Sequence, residues 1–290
     1  MNNKGITISM IFEASSANYG EGLGNISTLK KMTRGDGNIY TYISRQALRY
    51  SIIKNLNWDS TPVTPHKKDS DVVQFDPLAE INEYPEIDLF GYMKTTKGSL
   101  SAIRSAVVRL SNAISLEPYN SDLDFLTNVG LAQRHPDSKG NNLAQSEIHK
   151  SFYAYTITVD LERVGVDPKS DINLDSKEKA DRLVKFLDAI QFLNRDIKGR
   201  NENLNPVFAI GGLYDRKNPY FDGRLKMNKG KLDVELVKSV ISSCDDTKNN
   251  TKIGYLTGMF ANDNDIAPLN PVNIGEFFVM LKKEAADYYA

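Results

Sequence analysis

Residues 34–50 read RGDGNIYTYISRQALRY and join a tight turn, a short strand and the start of a helix. The glycine-flanked turn RGDG leads into β-prone residues at 39–42. Ser44 can act as an N-cap, because its hydroxyl can accept a hydrogen bond from a free backbone N–H of the first helical turn. The sequence therefore predicts a helix that begins near Ser44 and ends near residues 55–57.

This helix is predicted to have one apolar face and one basic face. Ile43, Ala47 and Tyr50 are spaced at i, i+4 and i+7, and we expect them to form its inner face. Arg45 and Arg49 are four residues apart and share another face.

The basic face starts where a cation is least expected. Arg45 lies in the first turn, at the positive end of the helix dipole, where a cation is unfavourable by roughly 0.3–1 kcal/mol. A bound anion reverses that sign, because the free N–H groups and the arginine then act together. Gln46 stands beside Arg45, and Lys30–Lys54 contains six Lys or Arg against one acid, Asp36. This pattern predicts a phosphate-binding helix start; the alternative is a solvated helix that carries two arginines.

Composition is that of an ordinary globular protein with segregated charge. The chain has 290 residues, 40% hydrophobic and 25% charged, enough for one large domain or two. The net charge is −1, yet residues 69–90 carry seven acids and no Lys or Arg, whereas residues 195–231 carry nine Lys or Arg against four acids. Such separation suits a polyanion partner on one face, or pairing between copies of the chain.

Cys244 is the single cysteine, which excludes an intrachain disulfide and favours a reducing compartment. Asp245 and Asp246 follow it and are expected to raise its thiol pKa. No apolar run approaches the roughly 20 residues of a membrane span, and no signal-peptide pattern opens the chain. We therefore expect a cytoplasmic protein without a membrane partner.

Periodicity predicts the remaining elements. Strands are expected at 6–12, 113–116, 152–161 and 207–210, the last closed by Gly211 and Gly212, and helices after a cap at Asp175 or Ser176 and at 234–241 and 274–288. The proline-rich segment 58–98 is predicted to be an insertion, and the polar segment 117–150 a functional loop or projecting hairpin. Without these insertions the order is strand, helix, strand, strand, helix, strand, the split βαβ arrangement that RNA-recognition domains share.

Catalytic signals are sparse. His66, His135 and His149 are far apart, lack metal-ligand spacing and are expected to be surface or loop histidines, so no metal or other cofactor is predicted. Asp36 could orient a phosphodiester or act as a general base, but an aspartate beside glycine is also a common turn residue.

Aromatic and basic residues are interleaved in two places. Tyrosines 40, 42 and 50 flank the basic helix, and three aromatics at 214, 220 and 221 accompany Arg216, Lys217 and Arg224. Stacking combined with phosphate contacts is how single-stranded nucleic acid is commonly held. Alternatively, some of these tyrosines pack in the core with their hydroxyls at its edge.

Several motifs occur in the order of a known family: the opening strand, RGDGN, YISRQALRY, SNAISLEPY (111–119) and LNRDIKGRNENLNPVFAIGGLYD (193–215). In these motifs the chain resembles the CRISPR-associated autoregulator (DevR) family, the backbone subunits of type I Cascade complexes, and most closely the type I-B branch. The resemblance implies an α+β fold: a palm of modified RNA-recognition (ferredoxin-like) type, a fingers insertion and a thumb hairpin. By position the palm comprises 1–57, 99–116 and 151–290, the fingers 58–98 and the thumb 117–150.

The resemblance also implies partners. Copies of the chain would assemble head to tail along one CRISPR RNA, beside other Cascade subunits, and present the guide to target DNA without catalysing a reaction. The family's Ser-x-Gln-x-x-Arg/Lys signature, which contacts the guide backbone, matches Ser44, Arg45, Gln46 and Arg49. The predicted RNA-binding set is Ser44, Arg45, Gln46, Arg49, Arg34, Tyr42, Arg216, Lys217 and Arg224.

Two alternatives remain. Type III backbone subunits cut target RNA with an aspartate in the loop before this helix, a place that Asp36 occupies, although RGDGN is not the type III pattern. The first alternative function is therefore a metal-dependent ribonuclease that uses Asp36. The second is a transcriptional autoregulator, which no helix-turn-helix pattern in the sequence favours.

Overall fold

The computed structural model describes residues 4–20, 22, 24–65, 73–95, 101–134, 137 and 143–290. Within these residues the protein has an α+β fold with antiparallel sheets. The strands are β1 Gly5–Ala14, β2 Ile26–Ser27, β3 Lys31–Thr33, β4 Ile39–Ile43, β5 Val63–Pro65, β6 Val73–Phe75, β7 Tyr92–Lys94, β8 Ala102–Arg104, β9 Val108–Leu110, β10 Ala113–Ser115, β11 Asp122–Thr127, β12 Leu143–Ile148, β13 Ser151–Asp160, β14 Val166–Asp167, β15 Ile172–Asn173, β16 Asn194–Ile197, β17 Arg200–Asn203, β18 Phe208–Tyr214, β19 Met227–Asn228, β20 Lys231–Leu232 and β21 Lys252–Tyr255. The helices are α1 Arg45–Leu56, α2 Pro85–Phe90, α3 Val129–Ala132, α4 Ser176–Gln191, α5 Val234–Ile241, α6 Asp245–Asn250, α7 Asp263–Ile266 and α8 Ile274–Tyr289, with 3-10 turns at Leu161–Arg163 and Ala267–Leu269.

The central sheet has the order β21-β18-β1-β13-β10-β4-β3, and β9 also pairs with β13. Each neighbouring pair along that order is antiparallel. β1 lies between β13 and β18 and is buried almost throughout, because both faces of the sheet are covered.

Each face of the sheet has its own apolar core. Helices α1, α4 and α8 cover one face, where Leu48, Leu187 and Phe277 pack against β1 and β13. The other face packs against the chain that follows β18, with Phe221 and Leu225 among the buried residues. The sheet therefore separates a helical layer from a layer of loops and short elements.

Several sequence predictions are confirmed by these elements. The strand predicted at 152–161 is β13, in which alternate residues from Tyr153 to Val159 are at most 2% exposed. Asp175 caps α4, its Oδ1 accepting the Glu178 N–H at 2.8 Å. The predicted helices at 234–241 and 274–288 correspond to α5 and α8.

The predicted inner face of α1 is confirmed at Ile43 and Ala47, which pack in or against the core, and is wrong at Tyr50. Tyr50 is 64% exposed, whereas Leu48, Ser51, Ile52 and Ile53 are buried. Leu48 and Ile52 lie one turn apart and pack in the core against the sheet. The buried face of the helix is therefore centred on Leu48 and Ile52 and does not extend to Tyr50.

The predicted end of the fourth strand is also wrong, because β18 continues through Gly211 and Gly212 to Tyr214. A Cβ on Gly211 would lie 2.0 Å from the Thr7 carbonyl oxygen, and one on Gly212 would lie 2.1 Å from the Asn250 carbonyl oxygen. These glycines thus permit close approach of neighbouring backbones inside the sheet, where we had expected them to end it.

The two predicted insertions form short β-structure in their described parts. Residues 58–98 contain β5, β6, α2 and β7, and the buried Asp88 joins them to Arg104 at 2.6 Å and to Arg182 of α4 at 3.0 Å. Within 117–150, β11 and β12 form an antiparallel pair, and all six residues of β11 are exposed. β2 adds to β12 in parallel.

Candidate nucleic-acid interface

A groove of about 710 Å³ lies on the sheet face opposite the long helices. One side comprises the first turn of α1 and residues of the β3–β4 hairpin region, and another comprises the segment 221–226. Strands β1, β10 and β13 contribute the floor, where the Ser9 and Thr156 hydroxyls lie 2.7 Å apart. Tyr42 of β4 is half-buried in the lining.

Four cations line this groove: Lys30, Arg34, Arg45 and Lys226. Asp222 contributes the single carboxylate among the described residues of the lining. Among the residues that the structure describes, no carboxylate lies within 4.0 Å of any of these four cations. Such a concentration of unpaired positive charge favours a polyanionic ligand.

Ser44 and Asn112 organise the start of α1. The Ser44 hydroxyl donates to Asn18 Oδ1 at 2.7 Å and accepts the Ala47 N–H at 3.3 Å. The Arg45 N–H donates to Asn112 Oδ1 at 2.9 Å. Two first-turn amides therefore already have partners, contrary to the expectation that free amides would meet the ligand. The exposed side chains of Arg45 and Gln46 remain in the groove lining.

Asp36 and its neighbours form a closed turn. The Tyr40 hydroxyl donates to Asp36 Oδ2 at 2.6 Å, and the Asn38 N–H donates to Oδ1 at 3.0 Å. The Tyr40 hydrogen bond lowers the pKa of the Asp36 carboxyl, with a smaller contribution from the Asn38 amide. The Arg34 guanidinium lies 4.4 Å from the centre of the Tyr40 ring. These contacts match the turn interpretation of Asp36, and a carboxylate stabilised as the anion is a weaker base.

Arg49 lies outside the groove. Its guanidinium is 3.6 Å from Glu86 and 5.1 Å from the centre of the Phe90 ring. It lines a separate hollow with residues 73–75 and 90–93. Arg45 and Arg49 thus share a helix but face different surroundings.

The later basic stretch is only partly directed towards the groove. Lys217 is paired with Asp160 at 2.8 Å and Glu162 at 3.0 Å. Arg224 lines a neighbouring hollow with Ser239 and Ser243, and Arg216 is exposed beyond the end of β18.

Lys226 is the cation that this stretch contributes to the groove, and sequence reasoning missed it, as it missed Lys30 and Asn112. Its position directly after Leu225, an apolar residue that anchors the loop, was an available signal.

His149 lies in the loop between β12 and β13, in agreement with the expected loop position, but it is not a surface residue. His149 is buried, and its Nδ1 lies 2.8 Å from the Thr41 hydroxyl, which lies 2.8 Å from the Tyr153 hydroxyl. Burial lowers the pKa of His149. His66 and His135 lie outside the described residues.

The thiol pKa of Cys244 is lowered, not raised, mainly because of its hydrogen bond with the Thr247 side chain at 3.3 Å, with a further contribution from the Thr247 amide. The exposed thiol lies in water, so these hydrogen bonds to the thiolate outweigh its two acidic neighbours.

The described residues contain no group of three or more His, Cys, Asp or Glu placed to hold a metal ion. No helix in the described part of the chain is long and apolar enough to cross a membrane.

A family profile described as CRISPR-associated negative auto-regulator DevR/Csa2 matches residues 6–225. The chain belongs to this family. A DevR-type relative from Myxococcus xanthus (strain DK1622), named "CRISPR-associated protein Cas7/Cst2/DevR", is 25% identical over 164 residues, or 51% of this chain and 54% of the relative. This chain thus aligns with about half the length of that curated relative.

Solved structures share the fold of this DevR/Csa2-family chain. A chain of a "CRISPR RNA-guided surveillance complex, pre-nicking" superposes with a TM-score of 0.60 at 12% identity, covering 88% of this chain and 93% of that one. A chain of a "CRISPR RNA-guided surveillance complex" gives 0.57 at 15% identity, covering 95% and 99%. At these identities the likeness establishes a common fold.

Proposed function

We propose that this DevR/Csa2-family protein is a non-catalytic backbone subunit that binds CRISPR RNA in a type I surveillance complex. The observation that carries the proposal is the groove in which four cations, with no carboxylate partner among the described residues, surround the sheet floor. A single strand of RNA supplies the missing negative charge through its phosphates.

The fold supports an RNA-recognition palm. Six elements occur in the chain in this order, with shorter elements between them: β1, α1, β10, β13, α4 and β18. In the sheet, the four strands of this set lie in the order β18-β1-β13-β10. This order matches the split βαβ arrangement of RNA-recognition domains and so supports the proposed palm. In this proposal residues 58–98 form the fingers and 117–150 the thumb.

Phosphate contacts also account for the partners of a guide-binding subunit. Backbone contacts position a nucleic acid without reading its bases, so any spacer sequence can be held and its bases can pair with target DNA. Head-to-tail assembly with further copies and with other Cascade subunits follows from the family resemblance, which favours the type I-B branch. The exposed side chains of Phe125, Leu126 and Leu131 on the β11–β12 hairpin provide apolar surface for such contacts.

A metal-dependent ribonuclease that uses Asp36 is the less favoured function. The Asp36 carboxylate is engaged by Tyr40 and Asn38, and it is absent from the groove lining. Incubation of the assembled complex with complementary RNA and magnesium tests this alternative. Evenly spaced cuts that disappear in Asp36→Ala would establish it and overturn the non-catalytic proposal.

Arg45→Ala tests the binding site. We expect the affinity for single-stranded RNA to fall roughly tenfold, or about 1.4 kcal/mol, and the slope of log affinity against log salt to fall by about 0.7. Lys185→Ala removes one positive charge from the exposed side of α4 and serves as the control. Equal affinities of the two variants, measured by fluorescence anisotropy at several salt concentrations, would contradict the assigned site.

A further inference from the structure

The groove has a second side that is distant in sequence from the basic helix. Phe221, Asp222, Gly223, Leu225 and Lys226 all belong to its lining. They follow β18, whereas the other cations of the lining come from the N-terminal part of the chain. A strand held in this groove therefore contacts two separate regions of the protein.

The backbone of this segment is fixed at both ends. Phe221 and Leu225 are 1% and 4% exposed and pack in the core beneath the sheet. The Arg224 N–H donates to the Phe221 carbonyl at 3.0 Å, and the Lys226 carbonyl accepts the Asp233 N–H at 2.9 Å. These contacts hold the main chain of Lys226 in place before any ligand binds, which reduces the entropy lost on binding.

Other cations nearby are already engaged or directed elsewhere. Lys217 is paired with Asp160 and Glu162, and Arg224 lines the neighbouring hollow. The Lys226 side chain is exposed, lines the groove and has no carboxylate within 4.0 Å among the described residues. It is therefore the cation of residues 216–226 that is available to a strand in the groove.

We infer that residues 221–226 form a second wall of the RNA-binding groove and that Lys226 binds a backbone phosphate there. The inference rests on the proposed function and adds a binding residue to it. A lysine ammonium suits this role because it contacts a phosphate as a point charge without selecting a base.

The test compares full-length Lys226→Ala with Lys231→Ala, which removes an exposed lysine from nearby β20, outside the groove lining. We expect Lys226→Ala to weaken binding of a labelled mixed-sequence RNA about tenfold and to lower the salt slope by about 0.7. Lys231→Ala should bind like the wild type, and Lys226→Arg should restore most of the affinity. Thermal unfolding of each variant verifies that the fold is intact.

Arg45→Ala, measured in parallel, separates the two proposals. If Arg45→Ala weakens binding and Lys226→Ala does not, the second wall is refuted and the proposed function stands. If neither variant weakens binding, the groove itself is wrong. A salt slope for Lys226→Ala equal to that of the wild type would likewise refute a phosphate contact.

Discussion

Asp88→Ala should cause a large loss of stability, because Asp88 is the only carboxylate between two buried arginines in the described structure. It is 0% exposed, and the side chains of Arg104 and Arg182 are 4% and 3% exposed. Its oxygens also accept the Gly165 N–H at 3.1 and 3.0 Å. Removing one partner of a buried ion pair typically costs about 3–5 kcal/mol, since the remaining charge is left uncompensated.

The structure places the expected loss near the lower end of that range, at about 3 kcal/mol. Both guanidiniums keep carbonyl acceptors after the substitution: Arg104 donates to Val166 and Arg163, and Arg182 to Ile81 and Asn82. Arg182 also keeps a carboxylate partner, because its Nε lies 2.8 Å from Oε1 of Glu178. Each therefore retains part of its hydrogen bonding when Asp88 is removed.

Urea unfolding monitored by circular dichroism measures this loss as a fall in midpoint at constant m-value. Asp188→Ala is the matched control, because Asp188 pairs with Lys282 on the surface and is 57% exposed. Exposed pairs of this kind contribute about 0–1 kcal/mol. A loss for Asp88→Ala no larger than that for Asp188→Ala would refute the reasoning about the buried cluster.

Two further predictions concern the buried His149 and the close approach of backbones at Gly211. Burial lowers the pKa of His149 from its ordinary 6.5, so the unfolded chain binds the proton more readily and stability falls as the pH drops below about 6.5. Between about pH 7.5 and about pH 5, the free energy of unfolding should therefore fall less in His149→Gln than in the wild type. Equal falls in the two proteins would contradict this prediction. Gly211→Ala should destabilise the protein by roughly 1–3 kcal/mol, because the new methyl would lie 2.0 Å from the Thr7 carbonyl oxygen. Gly35→Ala, where no atom lies within 4 Å of the added Cβ, is the control in urea unfolding, and equal midpoints for the two variants would contradict the close approach.

Local chemistry predicted much of the secondary structure. The Ser44 and Asp175 caps, the alternation in β1 and β13 and the apolar spacing of α5 and α8 depend on neighbours within a few residues. The buried face of α1 and the extension of β18 depend on what packs against them. Tyr50 and Gly211 were misjudged because sequence spacing does not reveal those distant contacts.

The candidate site was predicted in part for the same reason. Arg34, Tyr42, Ser44, Arg45 and Gln46 lie close together in the chain, and the structure brings them to one groove. Sequence alone could not distinguish Lys217 from Lys226, because the carboxylates that engage Lys217 come from the end of β13 and the 3-10 turn after it, which are distant in sequence. In the same way, Arg49 turns from the groove towards Glu86, which lies in a different segment.

The most direct test of guide binding is to purify the protein from cells that express a CRISPR array. Absorbance at 260 and 280 nm across a sizing column, followed by sequencing of recovered RNA, shows what the protein carries. We predict a large species that contains one uniform CRISPR RNA. A nucleic-acid-free protein that also fails to bind added guide would contradict the RNA-binding groove.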